Sequence, residues 1–425
     1  MIFGSLLVVM AIGPVMLLLA SIKSGIDEIR ADSHNSGSSS GSISADGRFI
    51  AFSSNDPRLP GGDADKQNIY INDNETGSIS LASTNGQGEA ANGINGSESL
   101  GPSISADGST LVFYSSSSNL VEGAKKGLFA KELDTGEVTP ILITDDDSPR
   151  IDNFVMDFSV SWNGRVVVHE SRNGVFVHDS ESNTTVRADV DSFGNEVPDS
   201  QPGDNIGKPS ISADGRFVAF MLSKKLSQKK NDHDTQIDIY IKDMRTGQLT
   251  LASVDSKGQP FGYSIRPCLS ADGNELVFEY DRIVQLHDIN SGKTVEIGKG
   301  ERPTISPNGR YIAYERNEGK NTTQKNCKAN TNCSNLYVFD MQTGETAREI
   351  IPSDWNNWSR LESLCISDNR VLAFAASGSF EGIEPEKCLI HVQQDESSAL
   401  IDVYCLSVYR KDLTSDKLQR IGVGS

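Results

Sequence analysis

Several stretches of this chain carry residue types capable of chemistry, and the richest is an acidic loop. Asp232-His233-Asp234-Thr235-Gln236-Ile237-Asp238 places carboxylates at its first, third and seventh positions, just ahead of an apolar run. Oxygen ligands so spaced fold around calcium, whose flexible coordination accepts several carboxylates and carbonyls. Asp232, Asp234 and Asp238 are therefore the candidate metal ligands, and calcium is the one candidate cofactor. The plainer reading is a solvated acidic loop in a chain of formal net charge −19. Gly37-Ser38-Ser39-Ser40-Gly41 matches the nucleophile string of serine hydrolases, which functions only where a strand turns into a helix. Here it lies in a serine-glycine linker, so no catalytic role is expected. His169 and His178 flank the turn Ser171-Arg172-Asn173-Gly174 and are placed to face each other across two strands. Zinc takes such pairs, and an ordinary core or surface pair is the alternative. Asp145-Asp146-Asp147 reads as a solvated bend.

The elements that position these residues are announced by a recurring phrase. Ser44-Ala45-Asp46-Gly47 returns at Ser105-Ala106-Asp107-Gly108, Ser212-Ala213-Asp214-Gly215 and Ser270-Ala271-Asp272-Gly273. Weaker copies stand at Ser161-Trp162-Asn163-Gly164, Ser306-Pro307-Asn308-Gly309 and Ser367-Asp368-Asn369-Arg370. The period of roughly 50 residues is that of propellers and solenoids. Asp-Gly and Asn-Gly between two apolar runs mark the tight turn of an antiparallel hairpin. The runs that follow, such as Phe49-Ile50-Ala51-Phe52 and Phe217-Val218-Ala219-Phe220, do not alternate with polar residues, so both faces of the strand should be buried. A third strand, typified by Ile239-Tyr240-Ile241, ends in a second glycine turn, Asp243-Met244-Arg245-Thr246-Gly247, and a more polar fourth strand closes the unit. Two hairpins per unit make a four-stranded sheet, and radial stacking buries both of its faces. The chain is therefore expected to be all-β: a β-propeller of about seven four-stranded blades, preceded by one N-terminal hydrophobic helix.

The repeated Pro-x-Ile-Ser-Ala-Asp-Gly-Arg phrase followed by Ile-Tyr-Ile-x-Asp-x-x-Thr-Gly resembles the TolB-like, WD-related β-propeller repeat. The resemblance spans residues 42–423 and implies a propeller; relatives serve as interaction platforms or as gating domains of peptidases. The expected organisation departs from the TolB-like pattern in having no separate α/β domain ahead of the ring, and isoleucine or leucine stands where the repeat commonly places tryptophan.

Residues 1–22 contain no charged side chain, a run long enough to cross a bilayer as a helix. They read as a transmembrane anchor or signal segment, 23–41 as a Ser/Gly-rich linker and 42–425 as the propeller. Cys327 and Cys333 lie close together in a polar loop, and Cys388 with Cys405 form a second potential pair, which favours an oxidising compartment. Cys268 and Cys365 occupy equivalent inner-strand positions and read as thiols. With 58 acidic against 39 basic residues, the chain repels nucleic acid. The inner strands offer mostly Ser, Thr, Ile and Leu. The expectation is accordingly a non-enzymatic interaction scaffold with a protein partner, secreted or held to a membrane by its N-terminal helix, with an extracytoplasmic ring. The alternative is a channel-centred enzyme or a small-ligand or calcium-binding propeller.

Overall fold

Each recurring Asp-Gly or Asn-Gly pair sits in a turn whose side chains bond the turn together. Ser44 Oγ donates to Asp46 Oδ1 at 2.6 Å and accepts the amide of Phe49 at 2.9 Å, while Asp46 Oδ1 accepts the amide of Arg48 at 2.9 Å. Gly47, at φ 74°, completes the turn by donating to the Ser44 carbonyl. A side chain there would be strained by the left-handed backbone and would press on Val371 and Ser367 at 2.9 Å. The serine and the acid of the phrase are thus what fold the turn.

The computed structural model describes residues 38–421, apart from 64, 94, 96–100, 144–154, 172–173, 196–208, 226–234, 318–333, 351–359, 378–386, 395–396 and 405–406. The first blade is β1 (Ser38–Ile43), β2 (Phe49–Ser54), β3 (Asn68–Asp73) and β4 (Ser78–Leu81). The second is β5 (Ser103–Ile104), β6 (Thr110–Ser115), β7 (Gly127–Glu132) and β8 (Val138–Ile143). The third is β9 (Val155–Val160), β10 (Val166–Ser171), β11 (Gly174–Asp179) and β12 (Thr184–Arg187). The fourth is β13 (Ser210–Ile211), β14 (Phe217–Lys225), β15 (Thr235–Asp243) and β16 (Leu249–Leu251). The fifth is β17 (Ser264–Leu269), β18 (Glu275–Tyr280), β19 (Ile283–Asp288) and β20 (Lys293–Lys299). The sixth is β21 (Glu301–Ile305), β22 (Tyr311–Asn317), β23 (Ser334–Asp340) and β24 (Glu345–Ile350). In the seventh, β25 (Arg360–Ile366) and β26 (Val371–Ser377) pair with β29 (Ser407–Asp412) and β30 (Lys417–Ile421), while β27 (Lys387–Gln394) and β28 (Ser397–Tyr404) form a two-stranded sheet of their own. The chain is a seven-bladed propeller in which each blade is an antiparallel sheet built from its own stretch of sequence.

Within each blade the first strand is innermost, because it packs against the first strands of both neighbouring blades. Apolar side chains fill every gap between blades. Ala51, Ile69 and Ile71 of the first blade meet Leu111, Phe113 and Phe129 of the second, and Val168, Val175 and Val177 of the third meet Val218, Phe220 and Leu222 of the fourth. The last gap is filled alike: Ile50, Phe52 and Tyr70 of the first blade pack on Ala373, Ala375 and Ile421 of the seventh. A fully buried Phe or Ile of this kind stabilises by about 1.5–3 kcal/mol, and Phe52, Phe113, Phe220 and Phe278 are all wholly buried.

The two ends of the ring differ. At the end bearing the serine turns, Arg48, Arg165, Arg216 and Arg310 each make a two-pronged contact to an aspartate at the close of their blade's third strand: Asp73, Asp179, Asp243 and Asp340. The turns also bond one another in a circle. Ala45 N donates to Ala106 O, Asp107 N to Trp162 O, Trp162 N to Ala213 O, Ala213 N to Ala271 O and Ala271 N to Pro307 O; Asn308 N donates to the Asp368 carboxylate, and Asp368 N to Ala45 O.

The hydrophobic stretch 1–22 lies outside the described residues, and no helix among the described residues is long and apolar enough to cross a membrane.

Candidate functional site

The end of the ring away from the serine turns is where the blades stop resembling one another. There the innermost strand begins and the second strand ends, so the residues meeting at this rim are separated by one hairpin. In the fifth blade Ile265 pairs with Glu279, and the ladder then slips at Arg266 and Pro267 before resuming at Cys268 and Val277. In the sixth, Glu301 pairs with Glu315 and the same slip falls at Arg302 and Pro303. The seventh blade slips at the same place, at Ser363 and Leu364, so the bulge belongs to the repeat, and proline, which cannot donate to a ladder, is tolerated in it. Arg266 and Arg302 accordingly sit at φ 59° and 54°, a left-handed conformation that costs a side-chain-bearing residue about 1–3 kcal/mol.

Each arginine leans on the glutamate behind it. Arg266 Nη1 donates to Glu279 Oε2 at 2.7 Å, and the backbone amide of Arg302 donates to that same oxygen at 3.1 Å. The guanidinium of Arg302 reaches Glu315 Oε2 at 3.5 Å. Two ion pairs, Arg266 with Glu279 and Arg302 with Glu315, are thus joined across neighbouring blades by the Arg302 backbone amide. The glutamates are enclosed, whereas the arginine side chains keep 42 % and 40 % of their surface open. Burial raises the Glu315 carboxyl above its usual range, against the pull of Ser334, Arg302 and Arg266.

The third blade carries Asp157 at the offset where the fifth and sixth carry arginine, but there its ladder slips between Glu170 and Ser171, so Asp157 is paired and not in the bulge. Glu170 stands where Glu279 and Glu315 stand, but the residue directly opposite on the inner strand is Asp157. Glu170 is 1 % exposed, and neither of its carboxylate oxygens has a hydrogen-bond partner. Burial, then the neighbouring Asp157 and Asp189, pushes its carboxyl up to about 8, so it holds its proton at neutral pH. Asp157 is only half-buried and accepts the amide of Phe158 at 2.9 Å. Asp189 is paired with Arg187 at 2.8 Å and 3.0 Å. Two paired strands thus set the partly exposed Asp157 carboxyl beside the enclosed Glu170 carboxylic acid.

The candidates from sequence fall elsewhere. Asp232 and Asp234 lie outside the described residues; Asp238, on β15, is buried and accepts from Ser253 Oγ at 3.2 Å. Among the described residues no group of three or more His, Cys, Asp or Glu is arranged to hold a metal. His169 and His178 are not directly opposed: His169 lies across from Phe176 and stacks on it at 5.6 Å, while His178 lies across from Val167 and shares a hydrogen bond with Thr185 Oγ1 at 3.0 Å. Burial, helped by His178, holds His169 down at about 4, a neutral ring packed as an aromatic. Cys327, Cys333 and Cys405 lie outside the described residues, and Cys268 and Cys365 carry thiols on the inner strands.

No family model matches this chain, and no curated protein matches it in sequence. Solved structures match its fold. The β-propeller domain of the trilobed protease from Pyrococcus furiosus is 11 % identical with a TM-score of 0.53, covering 92 % of this chain and 97 % of that one. An oligogalacturonate lyase from Vibrio parahaemolyticus is 12 % identical with a TM-score of 0.50, covering 91 % of this chain and 86 % of that one. Dipeptidyl peptidase 4 from Porphyromonas gingivalis is 12 % identical with a TM-score of 0.50, covering 95 % of this chain and 62 % of that one, so this chain spans less than two thirds of the peptidase. At such identities the likeness is one of fold.

The expectation of a non-enzymatic scaffold is corrected on two grounds. It rested on inner strands poor in titratable groups, whereas Asp157, Arg266 and Arg302 stand on those strands with Glu170, Glu279 and Glu315 behind them. The solved structures that share the ring, moreover, come from two proteases and a lyase. The sequence does carry a signal for the rim. Asp157 and Glu170, Arg266 and Glu279, and Arg302 and Glu315 are each separated by 13 positions, the length of one hairpin of the repeat.

Proposed function

We propose that this propeller is an enzyme, TolB-like in its repeat, whose proton chemistry takes place at the rim of the channel on the third blade. The observation that carries this reading is the pairing of Glu170, buried and without a hydrogen-bond partner, with Asp157 directly opposite it. A carboxylic acid that keeps its proton at neutral pH can donate it to a leaving oxygen, and an adjacent, partly exposed carboxylate can accept one. In this reading Glu170 is the acid and Asp157 the base. The lyase with which this chain shares its fold over most of both lengths supports elimination from an acidic sugar as the reaction class. In such an elimination the proton leaves the carbon beside the substrate carboxyl, a carbon–carbon double bond forms, the carbon–oxygen bond breaks and the departing oxygen takes up a proton.

The test is turnover of short acidic oligosaccharides by the purified chain, followed by the ultraviolet absorbance of the unsaturated product, with peptide substrates assayed in parallel. Product formation by the wild type and its loss in both Glu170→Gln and Asp157→Asn is the expected result. Undiminished turnover in Glu170→Gln, or no turnover of either substrate class by the wild type, would overturn the assignment.

A further inference from the structure

We infer that Arg266 and Arg302 form a carboxylate clamp at the channel rim, and that the ligand it takes is a chain-like acid bearing repeated single negative charges. The inference deepens the proposed function and rests on it only for the identity of the chain, not for the clamp itself.

Three observations carry it. The two arginines occupy the same place in neighbouring blades, each on the bulge of an Arg-Pro step and each at positive φ. A glycine would occupy that backbone without strain, so each arginine places its fork at this rim at a conformational cost. Next, the Arg266 guanidinium is steered rather than consumed by its glutamate. A guanidinium has five N–H donors in a rigid fork; Arg266 spends one on Glu279, and both side chains remain about two-fifths open. Third, the two are mechanically coupled, since a single oxygen, Glu279 Oε2, accepts both the Arg266 guanidinium and the Arg302 amide. Side chain and backbone of adjacent blades are thereby held at a set spacing.

The charge balance selects the ligand. Two arginines backed by two glutamates leave little net charge, which suits a singly charged carboxylate held by a planar fork better than a doubly charged phosphate. Arg282, at the turn between β18 and β19, pairs with Glu301 at 3.2 Å at the same rim, which adds one charge of each sign and leaves that balance unchanged. The acid pair of the third blade stands two blades from Arg266, so a ligand engaging both must be an oligomer with more than one acidic unit.

The experiment is calorimetric titration of the full chain with three probes: an oligogalacturonate, the same oligomer with its carboxyls methyl-esterified, and inorganic phosphate. The expected result is binding of the acid alone, weakened about tenfold or more by Arg266→Ala or Arg302→Ala. Arg266→Lys keeps the charge and the fold but loses the fork, and should weaken binding as well; circular dichroism confirms that each variant is folded. Equal binding of acid and ester, binding of phosphate in place of the acid, or unaltered affinity in folded Arg266→Lys and Arg302→Ala would each overturn the clamp. Binding is read from heat alone, with no turnover required. Failure of the catalytic assignment therefore leaves the clamp standing, and the reverse.

Discussion

The amide of Asp368 donates to the carbonyl of Ala45 at 2.8 Å, and with that bond the last blade is joined to the first. No strand from one end of the chain is inserted into the sheet of the other among the described residues. Closure rests on this turn-to-turn bond, on the Asn369 side chain donating to Asp46 O at 2.8 Å, and on the apolar gap between Phe52, Tyr70 and Ala373.

Asp368 serves both of its neighbours, because its carboxylate also accepts the amide of Asn308 at 2.7 Å. Asp368→Ala should strand that amide and lower stability by about 1–2 kcal/mol. Urea unfolding followed by intrinsic fluorescence would register this as a lower midpoint with an unchanged slope, and an unshifted midpoint would refute it.

Glu170 makes stability depend on pH in a particular direction. Its folded carboxyl is raised from 4.5 to about 8, so the stabilisation it contributes is complete below pH 4.5 and is lost as pH rises through 8. Glu170→Gln mimics the protonated acid and should remove that loss. Melting curves should coincide for the two proteins near pH 5, and the variant should be the more stable at pH 9, by on the order of a few kcal/mol. A parallel decline of both would contradict the assignment.

Asp157→Arg would give the third blade what the fifth and sixth already have. A guanidinium facing Glu170 should return its carboxyl to the ordinary range and stabilise the protein above neutral pH by about 1–3 kcal/mol. The same change should abolish turnover, since the acid and the base disappear together. Stabilisation with full activity would separate the fold from the chemistry assigned to this pair.

The opposite end of the ring governs the acid limb. Arg165 holds the Asp179 carboxyl down at about 2 through contacts at 2.9 Å and 2.8 Å. A depressed carboxyl contributes stability above its unfolded value of 3.8, and that contribution is lost as pH falls towards 2. The difference in melting temperature between wild type and Arg165→Ala should therefore shrink from pH 5 to pH 2; a constant difference would argue against the pair.

The blades were legible in sequence because their turns depend on local chemistry. Ser, Asp and Gly act within six residues of one another, as Ser44, Asp46, Gly47 and Phe49 do, so the phrase announces the hairpin directly. The rim was not legible in the same way. Arg266 and Glu279 meet only once a hairpin has brought position 266 beside position 279, and the bond from Arg302 to Glu279 crosses from one blade to the next. Viewed singly, these residues are ordinary charges on a polar surface, and only their shared offset in register distinguishes them. Trp162 and Pro307 illustrate the converse: they break the phrase in sequence, yet their carbonyls accept the bonds from Asp107 and Ala271, because a backbone group does not depend on the side chain it carries.

Because nearly all of these links are made by backbone groups, the ring has no structurally privileged opening. The gap between residues 421 and 38 is spanned by the same backbone turn bond as five of the six gaps that the chain crosses covalently, the sixth using the Asp368 carboxylate, and by the same apolar packing. A circular permutant opened between two other blades, with those ends joined by a short linker, should close into the same ring. Where translation starts would then alter the sequence in which the blades are made without altering the wheel they form.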